Sequence, residues 1–452
     1  MASGERGVFG AMSAPLAPST MHNASKFAMP IPPPSFARRP RVEKRLDAAA
    51  TVRLTILTGC AGSGKTALAA SWMAQRPECD RSWLTLDDDD NAPATFWSDI
   101  DGAVQRLDGD RFGRFLGVRP PRDGFLVVDE SDVLTTVAAR RSLVQLVELA
   151  PPWMHLIIVG REQPALALWR LRAAGDLVEI DDGDLRLDLF EATEVVSRHK
   201  NISPAETAAL HERSEGWMTG LKLLASGSAS PADSDGDAEE QIREFLLEEV
   251  FNRQSADVQD FLMETSCIAR LTPAICEHVT GRSDAADVLH DLHRANAFVS
   301  RLPGQYGLYR CHPQYRAVLR DEMVARDPDR VVEIHISAAR WYRDHGDPAA
   351  AVEQWIAARN VPGAMHPIPD DDFVSVCVVD PDEAQRSDVH LSPRELEVLS
   401  YLSTELPARE IAQSLYVSRN TLKTHMHNVY RKLGCASRGA AVERARELRL
   451  LH

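Results

Sequence analysis

Short apolar runs recur through the first part of the chain. They cover residues 54–57, 83–86, 125–128 and 156–159, and helix-forming stretches separate them. Runs of about four apolar residues are typical of strands buried on both faces of a parallel sheet. The pattern predicts an α/β domain with helices on both faces of the sheet and a ligand at the carboxyl ends of its strands.

A helical spacing of apolar residues follows from Glu191 to about Arg359. Residues 226–237, which are rich in Ser, Asp, Gly and Ala, interrupt this spacing and predict an inter-domain linker. Residues 361–388 are rich in Pro and acidic side chains and predict a second linker, with at most one strand at 373–379. The middle of the chain is therefore expected to be helical, with one linker inside it and another at its end.

The carboxyl end of the chain shows a third pattern. Ser392, Pro393 and Glu395 form a helix start with capping-box character. Helices are predicted over 394–403 and 408–415, then a turn at 416–418 and a longer helix to about Leu433, which is a helix-turn-helix arrangement. The third helix has an apolar stripe and an opposite polar face that can reach DNA, although any surface helix has such a face. The stripe is Leu422, Met426, Val429 and Leu433, and the outward residues are Asn420, Lys423, Thr424, His427 and Arg431.

Charge separates this end from the rest of the chain. The 452 residues carry a formal net charge of -15, which by itself argues against a nucleic-acid partner. Residues 388–452, however, hold ten Lys and Arg against seven Asp and Glu, so this end is at +3 and the remainder is at -18. The basic end is therefore the candidate for binding DNA.

Composition bounds the class of protein. The chain is 44% hydrophobic and 26% charged, which is ordinary for globular domains. It has neither an apolar window of about 18 residues nor an apolar signal core, so we expect a cytoplasmic protein without a membrane partner. The seven cysteines are scattered without a C-x-x-C pair and are expected to be free thiols. Residues 1–24 are expected to be a disordered leader.

The strongest motif lies directly after the first apolar run. It matches the phosphate-binding pattern G-x-x-x-x-G-K-[ST], in which glycines let backbone N–H groups turn toward phosphates. Lys65 would place its charge against the terminal phosphates, and the Thr66 hydroxyl would bind Mg²⁺. A glycine-rich turn without a ligand is the alternative. The predicted nucleotide-binding residues are Gly59, Cys60, Ala61, Gly62, Ser63, Gly64, Lys65 and Thr66.

Two acids follow the third apolar run and resemble a Walker B element. In P-loop proteins the first acid, here Asp129, holds Mg²⁺, and the second, here Glu130, can orient the attacking water as the catalytic residue. Arg161, at the end of the fourth run, could sense a terminal phosphate or be an ordinary surface residue. The four aspartates at 87–90 point in different directions and are expected to form a solvated loop rather than a metal site.

The carboxyl-terminal residues resemble a LuxR-type DNA-binding domain. The resemblance covers 391–451 and rests on Leu-Ser-Pro-Arg-Glu-Leu-Glu-Val-Leu, Val-Ser-Arg-Asn-Thr-Leu-Lys-Thr-His and Tyr-Arg-Lys-Leu-Gly. It implies that Lys423, Thr424 and His427 face bases and that Ser418, Thr421 and Arg431 lie nearer the phosphates. The full candidate set for binding DNA is Ser418, Arg419, Asn420, Thr421, Lys423, Thr424, His427 and Arg431.

Residues 25 to about 360 resemble the ATP-binding core of MalT-like regulators, which are signalling ATPases of the STAND class. The resemblance rests on Arg38-Arg39-Pro40, Phe96-Trp97, Glu215-Gly216-Trp217, Tyr309-Arg310-Cys311-His312-Pro313 and the Walker pair. It implies a P-loop domain, a helical lid and a winged helix that close over ADP, with His312 able to touch the phosphates. From its chemistry alone, His312 is more often a packed or exposed histidine.

The resemblance implies a multidomain α/β plus α fold with defined boundaries. The expected order is a P-loop NTPase domain with a parallel sheet (25–190), a helical lid (191–225), a linker (226–237), a winged-helix and helical domain (238–360), a linker (361–388) and a LuxR-type helix-turn-helix domain (389–452). Cys60 departs from the usual Ala or Pro and should leave the phosphate cradle intact. The helical repeats that bind an inducer in such regulators are expected to be absent, since only 361–388 stands in their place.

The leading interpretation is an ATP-binding and DNA-binding transcriptional regulator in which ATP/ADP exchange is the switch. Its cofactors would be ATP or ADP and Mg²⁺, with slow hydrolysis at most. Its partners would be double-stranded promoter DNA, a second copy of the chain on ATP binding, and RNA polymerase as a further candidate. The alternatives are a repressor, decoy or remnant without its sensor, and an ATP-driven remodelling ATPase associated with DNA.

Overall fold

The structure is a computed structural model, and it consists of two compact units. They comprise residues Met1–Arg198 and His199–His452, and each is described by itself. The described residues are 24–33, 36–108, 124–199, 202–226, 234–302, 304, 307–365, 391, 393–404, 406–415, 419–433, 435, 437–448 and 450–451. The predictions for the leader before residue 24, for 366–388 with its apolar run and for the turn at 416–418 concern residues outside these ranges.

A five-stranded parallel sheet forms the centre of the first unit. Its strands are β1 (Leu54–Thr58), β2 (Asp80–Thr85), β3 (Gly124–Asp129), β4 (Met154–Gly160) and β5 (Leu177–Ile180). Their order across the sheet is β2-β3-β4-β1-β5, and every neighbouring pair is parallel. The four apolar runs correspond to β1 to β4, which confirms the predicted sheet. The run of β5 was not singled out, because an edge strand with half-buried residues lacks a fully apolar pattern.

Helices connect the strands and cover the sheet. In the first unit they are α1 (Pro40–Leu46), α2 (Lys65–Ala74), α3 (Pro93–Asp108), α4 (Val137–Leu149), α5 (Leu168–Ala174), α6 (Asp182–Leu185) and α7 (Leu189–Ser197). Short 3-10 helices lie at Ala24–Phe27, Asp47–Thr51, Asp88–Asn91 and Ser131–Val133.

Side chains from the central strands supply two apolar cores, one on each face of the sheet. Along β3, Leu126 and Val128 belong to one core, whereas Phe125 and Val127 belong to the other. Successive side chains of a strand point to opposite faces, so a strand that is apolar at every position must be covered on both. Burial of apolar side chains on both faces therefore holds the strands in place. Each Å² of apolar surface removed from water stabilises the fold by roughly 25 cal/mol.

The aspartate run at 87–90 is not a uniformly solvated loop, so this prediction was wrong for Asp90. The Asp90 side chain is fully buried, and its carboxylate lies 2.9 Å from the Lys26 ammonium. The same ammonium contacts Asp99 at 2.9 Å and Asp87 at 2.7 Å. Burial alone would lower the pKa of Lys26, but its hydrogen bonds to the three carboxylates raise it. Lys26 comes from a segment distant in sequence, so the run itself carried no sign of this partner.

The second unit is mostly helical. It contains α8 (Pro204–Ser214), α9 (Met218–Ser226), α10 (Ser234–Leu246), a π-helical turn (Leu247–Phe251), α11 (Ala256–Thr265), α12 (Pro273–Thr280), α13 (Ala285–Arg294), α14 (Pro313–Arg326), α15 (Pro328–Asp344) and α16 (Pro348–Arg359). An antiparallel hairpin joins β6 (Val299–Arg301) to β7 (Tyr309–Cys311) between α13 and α14. Of the linker predicted at 226–237, positions 227–233 lie outside the described residues and the last four are helical, because they start α10.

Four helices lie at the carboxyl end; the first three match the predicted helices, and the fourth was not predicted. They are α17 (Pro393–Leu402), α18 (Ala408–Ser414), α19 (Arg419–Leu433) and α20 (Arg438–Glu447). The Arg438 guanidinium donates hydrogen bonds to the carbonyls of Tyr401, Leu402, Thr404 and Leu406, which satisfies acceptors at the end of α17. A side chain that follows α19 thereby fixes the end of the first helix.

The apolar core of these four helices continues into α16. Val352, Trp355 and Ile356 lie on one face of α16 and belong to the same buried cluster as Val398 and Leu402 of α17. Arg359 and Glu397 continue the contact, with 3.6 Å between Nη1 and Oε1. The four-helix domain therefore packs on α16 within the second unit.

We predict that Lys26→Met destabilises the first unit by about 3 kcal/mol, because Asp90 would keep a buried carboxylate without its cation. Urea unfolding measures the change. The matched control is Lys44→Met, which removes an exposed lysine from α1 and should change the free energy of unfolding by less than about 0.5 kcal/mol. Equal stability of the two variants would show that the buried cluster contributes nothing.

Candidate functional site

Three strand ends meet at one edge of the parallel sheet. β1 leads into the glycine-rich loop, β3 ends at Asp129 and β4 ends at Gly160, directly before Arg161. β4 lies between the other two, with Thr58 of β1 opposite Gly160 and Val128 of β3 opposite Ile158. Because the strands are parallel, their carboxyl ends lie together, as the sequence predicted.

The loop between β1 and α2 has the backbone that its glycines permit. Gly62 and Gly64 have φ angles of 70° and 85°, in the left-handed region that favours glycine. The Lys65 ammonium donates hydrogen bonds to the carbonyls of Gly59 and Cys60 at 2.9 Å each and lies 3.4 Å from the Ser63 hydroxyl. The charge of Lys65 is thus directed into the loop.

The surroundings of Lys65 fit an anionic ligand. Its three oxygen partners are two carbonyls and a hydroxyl, and none of them is a carboxylate. Burial lowers the pKa of Lys65, and neutral oxygens offset the cost of burying a charge less than a carboxylate would. A phosphate at this position would supply the missing negative charge beside the amino end of α2.

Thr66 and Asp129 meet across the same edge. The Thr66 hydroxyl donates to the Asp129 carboxylate at 3.2 Å. Burial raises the pKa of Asp129 to about 6, and the neighbouring Glu130 adds to the shift. The Thr66 hydroxyl and the Asp129 carboxylate supply the oxygen ligands that a hard cation such as Mg²⁺ prefers. A cation between them would favour the ionised form of Asp129, which burial disfavours.

Glu130 occupies an unusual backbone position. Its φ is 58° and its ψ is 39°, which is the left-handed conformation that residues other than Gly, Asn and Asp rarely adopt. The Glu130 N–H donates to the Asp129 carboxylate at 3.0 Å. Strain of this kind costs roughly 1 kcal/mol and often accompanies a functional role.

Arg161 pairs with an acid that the sequence did not single out. The Asp132 carboxylate accepts a hydrogen bond from the Arg161 backbone N–H at 2.8 Å and lies 3.7 Å from its guanidinium Nε. Asp132 lies in the short 3-10 helix after β3, three residues beyond the predicted Walker acid. Only the adjacency of β3 and β4 brings it to Arg161.

The third helix of the four-helix domain, α19, has the predicted polarity. Leu422, Val429 and Leu433 are buried and Met426 is half-buried, whereas Lys423 and Arg431 are exposed. Ser418, another predicted DNA contact, lies outside the described residues. For the remaining predicted contacts the structure describes the backbone but not the side chain; they are Arg419, Asn420, Thr421, Thr424 and His427. Lys432 instead forms an ion pair of 2.5 Å with the buried Glu395 of α17.

Two family models match parts of the second unit. The MalT winged helix domain matches residues 247–331, and the domain of bacterial regulatory proteins of the LuxR family matches residues 389–445. The HTH-type transcriptional regulators MalT of Cronobacter sakazakii and Yersinia enterocolitica are each 25% identical to the chain, over 365 and 368 residues. The chain is MalT-like and carries a LuxR-family domain.

The MalT-like chain spans 40% of the length of these curated relatives, and the matches cover 74% and 75% of the chain itself. Two solved structures are similar to it. The Walker-type ATPase of Pyrococcus abyssi has a TM-score of 0.46 at 15% identity, covering 64% of this chain and 98% of that chain. A STAND protein with a tetratricopeptide repeat sensor from Pyrococcus horikoshii has a TM-score of 0.31 at 14% identity, covering 93% and 65%.

His312 lies within the region that matches the MalT winged helix. Its side chain is buried, its Nε2 lies 3.2 Å from the Ser214 carbonyl, and its ring packs against Trp217 and Phe298. It directly precedes α14 as the residue before Pro313. These contacts are those of a packed histidine within the second unit, and its contact with a nucleotide stays a prediction.

Asp182 and Leu185 of α6 lie against the start of the glycine-rich loop. The Cys60 N–H donates to Asp182 at 2.9 Å, and the fully buried Arg39 donates to the Leu185 carbonyl at 2.6 Å. A Cβ on Gly59 would lie 2.8 Å from Leu185, so α6 packs directly on the loop. Sequence reasoning missed Asp182 because α6 follows β5, the strand it also missed.

Among the described residues, no helix combines the length and apolarity that a membrane span requires.

Six of the seven cysteines lie in the described residues and are free thiols, as expected. Burial raises the pKa of Cys60, which lies inside the loop, well above its usual range. The thiol therefore stays neutral and should not disturb a phosphate there.

We predict that Glu130→Gly is about 1 kcal/mol more stable than Glu130→Ala. Both variants lose the carboxylate, but only glycine adopts the left-handed backbone of this position without strain. Urea unfolding at neutral pH without nucleotide measures the difference, and the alanine variant is the matched control. An alanine variant as stable as the glycine variant would show that Glu130 is unstrained.

Proposed function

We propose that this MalT-like chain is an ATP-binding and DNA-binding transcriptional regulator in which ATP/ADP exchange switches the DNA-binding state. The observation that carries the proposal is Lys65, a half-buried cation of the glycine-rich loop whose hydrogen-bond partners are all neutral. It occurs in a chain that ends in a LuxR-family domain. The proposal places the protein with its promoter DNA in the cytoplasm.

At the nucleotide end, each residue has a distinct part. Lys65 and the loop N–H groups bind the phosphates, while Thr66 and Asp129 hold Mg²⁺, which would neutralise charge on the phosphate oxygens. Arg161, at the end of the strand between them, binds the terminal phosphate. Glu130 orients a water molecule for slow hydrolysis, which resets the switch.

At the DNA end, α19 enters the major groove. Its buried stripe holds it against the other helices, and the exposed Lys423 and Arg431 mark the opposite face. Lys423, Thr424 and His427 read bases, whereas Ser418, Thr421 and Arg431 lie nearer the phosphates. Arg419 and Asn420 belong to the same DNA-binding set. Lys432 is excluded from this set because Glu395 already pairs with it.

A nucleotide can change DNA binding only through its different affinity for two states of the chain. ATP carries one phosphate more than ADP, and Arg161 is the cation that we assign to that phosphate. We therefore propose that the ATP-bound state is the one with high affinity for DNA. Self-association on ATP binding would raise that affinity further, and RNA polymerase is a candidate partner of the DNA-bound form.

We predict that the intact chain binds a duplex from its own promoter at least about fivefold more tightly with a non-hydrolysable ATP analogue than with ADP. Fluorescence anisotropy with each nucleotide, and without nucleotide, measures the affinities. Lys65→Ala is the matched control, and its three binding curves should superimpose because it loses nucleotide affinity. Superimposable curves for the unmodified chain, with both nucleotides shown by calorimetry to bind, would contradict the switch.

We predict that Lys423→Ala and His427→Ala each weaken DNA binding by about 1 to 3 kcal/mol and relax sequence specificity. Arg431→Ala should instead lower the slope of affinity against salt concentration by about one. Gel-shift titrations on matched and mismatched duplexes measure both effects. Arg446→Ala, an exposed arginine of α20, is the control for loss of charge. If all four variants bind alike, α19 is not the reading helix.

A further inference from the structure

Asp132 holds Arg161 through both of its carboxylate oxygens. One oxygen accepts the Arg161 backbone N–H at 2.8 Å, and the other lies 3.7 Å from the guanidinium Nε. Both side chains are largely shielded from water, with 13% of Asp132 and 20% of Arg161 exposed. An ion pair with this degree of shielding is screened less by salt than a surface pair.

The close approach of the two segments is built into the sheet. A Cβ on Gly160 would lie 2.3 Å from the Ser131 hydroxyl and 3.1 Å from the Asp132 carboxylate. Glycine at the end of β4 therefore lets the turn after β3 lie directly against Arg161. The pair is fixed by backbone geometry on both sides rather than by two flexible surface side chains.

The charges at this edge of the sheet are coupled. Burial is the main cause that lowers the pKa of Lys65; the positive charge of Arg161 lowers it further, and the negative charge of Asp132 raises it. A terminal phosphate would bring a second anion to Arg161. The guanidinium would then bind either Asp132 or the phosphate, or divide its donors between them.

We propose that Asp132 is a positioning residue that competes with the terminal phosphate for Arg161 and thereby sets how strongly the site prefers ATP over ADP. ADP lacks that phosphate, so the competition acts on ATP alone. The backbone hydrogen bond keeps Arg161 at the strand end while the ion pair limits its attraction for the phosphate. This inference rests on the proposed nucleotide binding and names a residue that regulates it.

The test is calorimetry with Mg²⁺ and either ADP or a non-hydrolysable ATP analogue on the intact chain and its Asp132→Asn variant. Asparagine can still accept the Arg161 backbone N–H but carries no charge, so Arg161 stays in place and no longer feels the attraction of the Asp132 carboxylate. We expect the ratio of analogue affinity to ADP affinity to rise about tenfold, which is the order expected when a partly shielded ion pair no longer competes with the phosphate. A purely structural role would change both affinities alike and leave the ratio constant.

Two further variants isolate the cause. Glu162→Gln removes a charge at the next position while Asp132 stays in place, and it should leave the ratio within about twofold of the unmodified chain. Arg161→Gln should lower the affinity for the analogue and spare that for ADP. In that background, adding Asp132→Asn should no longer change the ratio, because the effect of Asp132 on the ratio acts through the Arg161 side chain, which is absent there.

The outcomes distinguish a failure of the proposed nucleotide binding from a failure of the role inferred for Asp132. If the unmodified chain binds neither nucleotide, the proposed function fails. If it binds both and Asp132→Asn leaves the ratio unchanged, or changes it equally in the Arg161→Gln background, the role of Asp132 is overturned. Should Asp132→Asn fail to fold, as judged by thermal unfolding, Arg161→Gln alone decides, and an unchanged ratio there also overturns the inference.

Discussion

The candidate nucleotide site depends on the parallel pairing of β3, β4 and β1. Hydrogen bonds between these strands place three carboxyl ends side by side, and each end carries a different chemical group. Apolar residues buried on both faces prevent a strand from slipping by one residue, because a slip would exchange the two faces. The positions of Lys65, Asp129 and Arg161 therefore follow from packing that lies well away from them.

The same edge concentrates opposing charges in a poorly solvated place. Lys65 is held by neutral oxygens, Asp129 is costly to ionise, and Glu130 adopts a strained backbone. Each feature is unfavourable for the protein by itself, and each would be relieved or used by the phosphate and the cation that we propose for this site. Asp132 and Arg161 are the exception, because they neutralise one another without a ligand.

In the second unit the LuxR-family domain is integrated with the helices before it. Its core is continuous with one face of α16, and the Arg359 and Glu397 side chains extend that contact. Lys423 and Arg431 remain exposed in this arrangement. A continuous apolar core gives the domain a defined orientation on α16.

The sequence by itself determined the features that depend on local pattern. Four buried strands, the glycine-rich loop, the acids after β3 and the polarity of α19 could be predicted because each follows from the period of apolar residues or from one contiguous motif. The tertiary structure decided the pairs formed between distant segments. Lys26 with Asp90, Asp132 with Arg161, and Asp182 with the Cys60 N–H depend on which strands are neighbours. Such neighbours are chosen by the packing of the whole sheet, and no local pattern encodes that choice.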